Sequence, residues 1–233
     1  MLQDAVVTFY SADQMREQNI QKLGADLGTE YSALWQHIAN VHIKWSEYKE
    51  LYGTSPTRID LLNRAAPNFF GKIQKTLWNE VLLLICQLTD PPKIGKRKNL
   101  TILRLPELIK ESALGSAVEA KVKEAESNST FCRDWRNRHI AHLDRDLALE
   151  SNAEPLMEAN RAMVKQALES IAAPLKLVAE RFFGSDLRFD IYKPIHGAVS
   201  LLHVIDDGLK AGLEREDRLS QGNWLPSDTR RKI

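Results

Sequence analysis

Cysteine is scarce in this chain. Only Cys86 and Cys132 occur among the 233 residues, far apart, and no Cys-x-x-Cys pair exists. That argues against a disulfide framework and a cysteine-built zinc site, and it fits a reducing cytoplasm. Cys86 sits inside an apolar run and reads as a small buried side chain. Long hydrophobic runs are lacking too. The longest strongly apolar stretch, Val81 to Cys86, is too short to cross a bilayer. The opening, Met1-Leu2-Gln3-Asp4, has neither the cationic start nor the apolar stretch of a secretion signal. A cytoplasmic protein without membrane attachment is therefore expected, and the Asn-x-Thr/Ser triplets at Asn99 and Asn128 are chance matches. Charge of one sign is missing as well: 32 basic against 31 acidic side chains leave a net +1. A protein that coats nucleic acid non-specifically would be far more basic, so any nucleic-acid contact must come from a local patch. No internal repeat, low-complexity tract or set of alternating strands is present.

What is present is helical spacing. Tyr31, Leu34, Trp35, Ile38, Val41, Trp45, Tyr48 and Tyr52 fall on one stripe, between a cap at Thr29 and a stop at Gly53. Aromatic residues dominate that stripe, and core packing is its expected role. Ser55-Pro56 is a helix start, and Pro67 interrupts the helix. A second start at Asn68 leads through Phe69, Phe70, Ile73, Leu77, Val81, Leu84, Ile85 and Leu88. Asp90 to Lys98 carries two prolines, a glycine and a run of cations, and reads as a loop. Short helices are expected over 103–112 and 116–126, with a polar break at Ser127-Asn128-Ser129. Helix is also predicted over 130–143. A long helix is predicted from Pro155 to Gly184, with a possible bend at Pro174, then an extended piece over 187–192 and an amphipathic helix over 194–214. Gln221 to Ile233 reads as a polar tail in which Trp224 could dock. The fold class is all-α with short connections.

One segment concentrates chemistry. Cys132 to Asp144 holds Arg133, Arg136, Arg138, His139 and His142 within a few helical turns. Two overlapping Arg…His registers exist, Arg133 with His139 and Arg136 with His142. Only the second begins with Arg-Asn. Arg136-Asn137 followed by His142 resembles the hallmark of the HEPN superfamily, an arginine and a polar residue with a histidine a few positions on. Ile140-Ala141-His142-Leu143-Asp144, Leu88-Thr89-Asp90 and Asn99-Leu100-Thr101-Ile102-Leu103 resemble the AbiU2-like HEPN group in particular. The similarity covers roughly residues 30 to 185. The expected organisation is an N-terminal segment at 1–28, a HEPN-like helical bundle at 29–185, and a C-terminal helix with a polar tail at 186–233.

The resemblance implies a metal-independent endoribonuclease, a toxin-like component of bacterial phage defence by abortive infection. It implies no cofactor, an RNA substrate and a homodimer with a composite site, with a cognate antitoxin as a possible further partner. Arg136 and His142 would be catalytic, and Asn137, Arg138 and His139 would support them. The residue chemistry is compatible. RNA supplies its own nucleophile in the 2′-hydroxyl. Histidine can act as acid or base near neutrality. Arginine stays charged and grips phosphate bidentately. Weaker RNA-backbone candidates are Arg133, Lys96, Arg97 and Lys98. In a uniform α-helix, residues six apart lie about 120° apart around the axis, so Arg136 and His142 would not stack, whereas Arg138 and His142 would share a face. Asp134, Asp144 and Asp146 read as partners of nearby arginines. The competing reading is a non-catalytic HEPN module that binds RNA, a nucleotide or a protein. A helical structural protein with an ion-pair network is a third.

Overall fold

The computed structural model describes residues 10–150, 153–191 and 194–228. Among these, ten α-helices carry the fold: α1 (Ala12–Leu23), α2 (Ala25–Tyr52), α3 (Pro56–Ala65), α4 (Pro67–Thr89), α5 (Leu105–Leu108), α6 (Ser112–Asn128), α7 (Thr130–Trp135), α8 (Arg145–Ala148), α9 (Arg161–Phe183) and α10 (Ala198–Ser220). The one sheet among the described residues is a two-stranded antiparallel ribbon, β1 (Lys93–Ile94) with β2 (Arg97–Lys98). The all-α expectation holds. No described helix is long and apolar enough to cross a membrane.

The chain divides into two compact units. The first comprises the described parts of Met1–Ile43 and Asn79–Tyr192; the second comprises those of Lys44–Trp78 and Lys193–Ile233. Helices α2 and α4 supply residues to both. In the first unit, α6 packs along α9. The buried face of α9 runs Val164, Leu168, Ile171, Leu175 and Val178 at steps of three and four, and α6 answers with Leu114, Val118, Val122 and Ala125. Leu34, Ile38 and Val41 of α2 and Val81, Leu82 and Ile85 of α4 are fully buried. Asn160 caps α9 by accepting from the Met163 amide at 3.0 Å, and Gly184 ends it with a left-handed φ of 61°.

In the second unit, Leu51, Leu62, Phe70, Ala198 and Leu202 form one apolar cluster. Trp45 and Tyr48 stack at 5.2 Å, and Trp78 closes on both. The aromatic stripe of α2 thus fills cores, as its spacing predicts. The Glu47 carboxylate accepts the Ala198 amide at 2.6 Å and supplies the negative charge that the start of α10 favours.

Some boundaries differ from the sequence reading. Helix α1 lies in the stretch read only as an N-terminal segment; Ser11 and Gln14 build a reciprocal capping box that starts it. Helix α2 begins at Ala25, four residues before the expected cap at Thr29. The long helix does not open at Pro155 but at Arg161, because residues 154–157 spend backbone groups on the side chains of Asp134, Trp135 and Arg138. Residues 187–191 form no strand, and 192 lies outside the described residues. Trp224 docks on none of the described residues, being 62 % exposed, whereas the Asp228 side chain is buried against Arg215 and Arg218.

Cys86 and Cys132 are both buried thiols. Burial pushes Cys86 up to about 11 and Cys132 higher still, against a smaller opposing pull from nearby arginines. At pH 8 a thiol at 11 is about one part in a thousand thiolate, the reactive form. Iodoacetamide is expected to label neither cysteine in the native protein over minutes and both after denaturation. Rapid stoichiometric labelling of the folded chain would contradict this burial.

Candidate functional site

The end of α4 is the hub of the site. Three consecutive residues there each take a different partner. The Leu88 carbonyl accepts from Thr101 Oγ1 at 3.0 Å. The Thr89 carbonyl accepts from Arg133 Nη2. Asp90 takes Arg136, whose Nη1 donates to both carboxylate oxygens at 2.6 and 2.7 Å. The last carbonyls of a helix have no partner inside it and carry partial negative charge, so cationic donors belong there. Arg133 also reaches the Glu126 carbonyl near the end of α6, at 3.5 Å. Its guanidinium therefore works as a cap on two helix ends.

Helix α7 then gives way to a wider turn. Over Arg136–Ile140 the backbone is π-helical: the Ala141 amide donates to the Arg136 carbonyl, five residues back, at 2.8 Å. The Asp144 amide reaches the Arg138 carbonyl at 3.1 Å. Residues 141–142 form a bend, so the helix predicted over 130–143 breaks at its catalytic candidates. The α-helical argument that set Arg136 and His142 apart and put Arg138 with His142 on one face does not apply. The physical reason is the turn itself, in which neighbouring arginines leave in different directions to different anchors.

Arg136 runs to Asp90 at the end of α4. Arg138 runs instead to the extended segment before α9. Its Nη1 donates to the Pro155 carbonyl at 3.4 Å and Nη2 to the Glu154 carbonyl. Its Nε meets Asp144 at 3.3 Å, and Asp134 lies 3.5 Å from Nη1. The Leu147 amide and the Arg138 bond together hold the Asp144 carboxyl below its ordinary range. Two further bonds fasten the same segment: Trp135 Nε1 donates to the Met157 carbonyl, and the Met157 amide donates to Asp134, both at 2.8 Å. The His139 ring meets Trp135 edge-on at 5.6 Å.

The expected partnership of Asp134 and Asp144 with arginine is observed, and Asp146 pairs with Arg145 at 3.2 Å. Asn137 is exposed, and its Oδ1 accepts from Arg136 Nε at 3.1 Å, an orienting contact. His139 and His142 are exposed, and His142 makes no hydrogen bond to a described residue. Lys96, Arg97 and Lys98 lie on the β1–β2 ribbon, exposed. No group of three His, Cys, Asp or Glu side chains among the described residues is arranged to hold a metal ion.

Sequence reasoning did not single out Asp90, Thr89 or the Met157 backbone as parts of this site. Asp90 had a signal, standing in the Leu-Thr-Asp triplet at the end of a long apolar helix. Met157 had none, because its role rests on main-chain atoms.

The site therefore sets one arginine on an acid, one on an extended segment, and two histidines in solvent around a widened turn. No curated protein and no solved structure matches the chain. The family model for AbiU2 matches residues 24–199, which takes in the α4 hub, the ribbon and the whole widened turn. The chain belongs to the AbiU2 family of HEPN proteins, a family associated with abortive infection.

Proposed function

We propose that the protein is a metal-independent endoribonuclease of HEPN type, acting as a toxin-like effector in antiviral defence. The observation that carries this reading is the π-helical turn at Arg136–Ile140, which follows the end of α7 at the Arg136…His142 pair and occurs at no other described position. Such turns are rare and concentrate at functional sites. This one leaves Asn137, His139 and His142 exposed while Asp90 holds Arg136. In cleavage, a base removes the proton of the RNA 2′-hydroxyl, and that oxygen bonds to phosphorus. The bond to the 5′-oxygen breaks, with an acid protonating the leaving group. The products are a 2′,3′-cyclic phosphate and a 5′-hydroxyl. Nη2 of Arg136 has no partner among the described residues and is the donor left for phosphate.

A homodimer supplies the rest of the site. Two copies related by a two-fold axis, with His142 near that axis, provide one histidine as base and another as acid. The test is RNA cleavage by purified protein in excess EDTA, with product ends analysed, alongside mass by light scattering at micromolar concentration. Cyclic-phosphate ends from a dimer are expected. A monomer that cleaves would remove the composite site, and a dimer that never cleaves would remove the ribonuclease.

A second reading, a non-catalytic module binding RNA, a nucleotide or a protein, is favoured by one observation: Arg133, Arg136 and Arg138 all have partners within the chain. RNA or protein binding without cleavage in the same assay would select it.

A further inference from the structure

With Arg133 and Arg138 held by partners within the chain and only Nη2 of Arg136 left for phosphate, the further charge that would hold an RNA strand has to come from outside the motif. We propose that the β1–β2 ribbon is that element, a docking site for the phosphate backbone of single-stranded RNA running to or from the Arg136 turn. This inference rests on the reading of that turn as an RNA site.

The ribbon carries Lys93, Lys96, Arg97 and Lys98. All four are exposed, and none makes an ion pair with a described residue. Their arrangement works against stability. Lys93 stands directly across the ladder from Lys98, and like charges directly opposite are destabilising. On the other register position Ile94 faces Arg97, with Ile94 57 % exposed. An apolar side chain beside a guanidinium offers a surface on which a base can stack.

The ribbon is nevertheless built with care. Gly95 turns it with a φ of +61°, while Lys96 keeps a negative φ, the signs of a type II′ hairpin turn. Its base is pinned: the Asn99 amide donates to the Pro92 carbonyl at 2.9 Å, and Asn99 Nδ2 to the Pro91 carbonyl at 2.8 Å. A shaped, anchored hairpin bearing four cations that pair with no acid among the described residues fits a polyanion better than it fits a connection.

Position ties it to the motif. Lys93 follows Asp90, the partner of Arg136, by three residues. Three residues span at most about 11 Å. One strand can therefore meet Arg136 and the ribbon together.

The test uses the full chain and a fluorescent 2′-O-methyl oligoribonucleotide of twenty residues, which lacks the nucleophile and cannot be cleaved. The parent is compared with a variant carrying Lys93→Gln, Lys96→Gln, Arg97→Gln and Lys98→Gln. Binding is followed by anisotropy across a salt series. Every phosphate that the variant no longer neutralises lowers the slope of log K against log salt by about 0.7. A slope smaller by about 2 to 3 and an affinity at least tenfold weaker near 50 mM salt are expected. The variant should melt no lower than the parent, since repulsion is removed.

An unchanged slope and affinity would overturn the docking site. So would a parent that shows no salt-dependent RNA binding. Loss of binding to anionic lipid vesicles with RNA binding intact would assign the ribbon to a membrane surface and overturn the RNA reading. The two inferences fail separately. A parent that never cleaves, with a variant that binds RNA more weakly, leaves the ribbon standing without the nuclease. A parent that cleaves, with a variant that binds as before, does the reverse.

Discussion

Purified His142→Ala protein is expected to cleave RNA about 10² to 10⁴-fold more slowly than the parent, the typical contribution of one positioned acid or base. Its melting temperature should barely move. His142 is exposed on a bend, beyond the last π-helical residue, and makes no hydrogen bond to a described residue. Surface substitutions of that kind usually change stability by no more than about 0.5 kcal/mol. In a chain of this size that is about 1–2 °C. The separation of the two readouts makes the experiment decisive. A structural histidine would lose stability and activity together; an uninvolved one would lose neither. In cells, expression of the parent should slow growth while His142→Ala should not. Equal cleavage by parent and variant would remove His142 from the chemistry. Equal growth of the two strains would remove the toxin role.

The site was legible in part, and the division follows the kind of bond involved. Side-chain chemistry shows in a sequence. The Arg-Asn pair singled out Arg136 over Arg133, and the structure gives those two arginines different work: Arg133 caps helix ends through carbonyls, while Arg136 meets a carboxylate. Helices carried by apolar periodicity were equally readable, as Ser55 and Pro67 show at the starts of α3 and α4. Main-chain chemistry does not show. Nothing in Glu154-Pro155-Leu156-Met157 says that its carbonyls and amide will receive Arg138, Trp135 and Asp134, so Pro155 read as a helix start. The π-helical turn was hidden for the same reason. Its i to i+5 bond is a backbone choice, driven by side-chain anchors distant in sequence, and 3.6-residue periodicity cannot signal it. Helix α1 escaped because few of its residues are buried; its capping box was the available signal.

The second large effect concerns Asp90. Asp90→Ala is expected to lower stability by about 1–3 kcal/mol, between the values for surface and buried pairs, because the two side chains retain 15 % and 23 % exposure. Calorimetry should show a fall of about 2–4 °C for each kcal/mol. Arg136→Ala should cost a similar amount. The double variant should cost less than the sum, since each single change leaves the other partner half-buried and unmatched. Function separates the two ends of the pair. Asp90→Asn keeps the shape and one acceptor but removes the charge that competes with phosphate for Arg136. Under the ribonuclease reading its KM should not rise, while kcat should fall about tenfold because the guanidinium is held less firmly. Arg136→Lys should lose more, since an ammonium cannot donate to Asp90 and Asn137 together from fixed positions as Nη1 and Nε do. Full activity in Asp90→Asn, with Arg136→Ala inactive, would show that Arg136 works without its anchor. Full activity in both would confine the pair to holding α4 against the turn, and the chemistry would have to rest on the two exposed histidines.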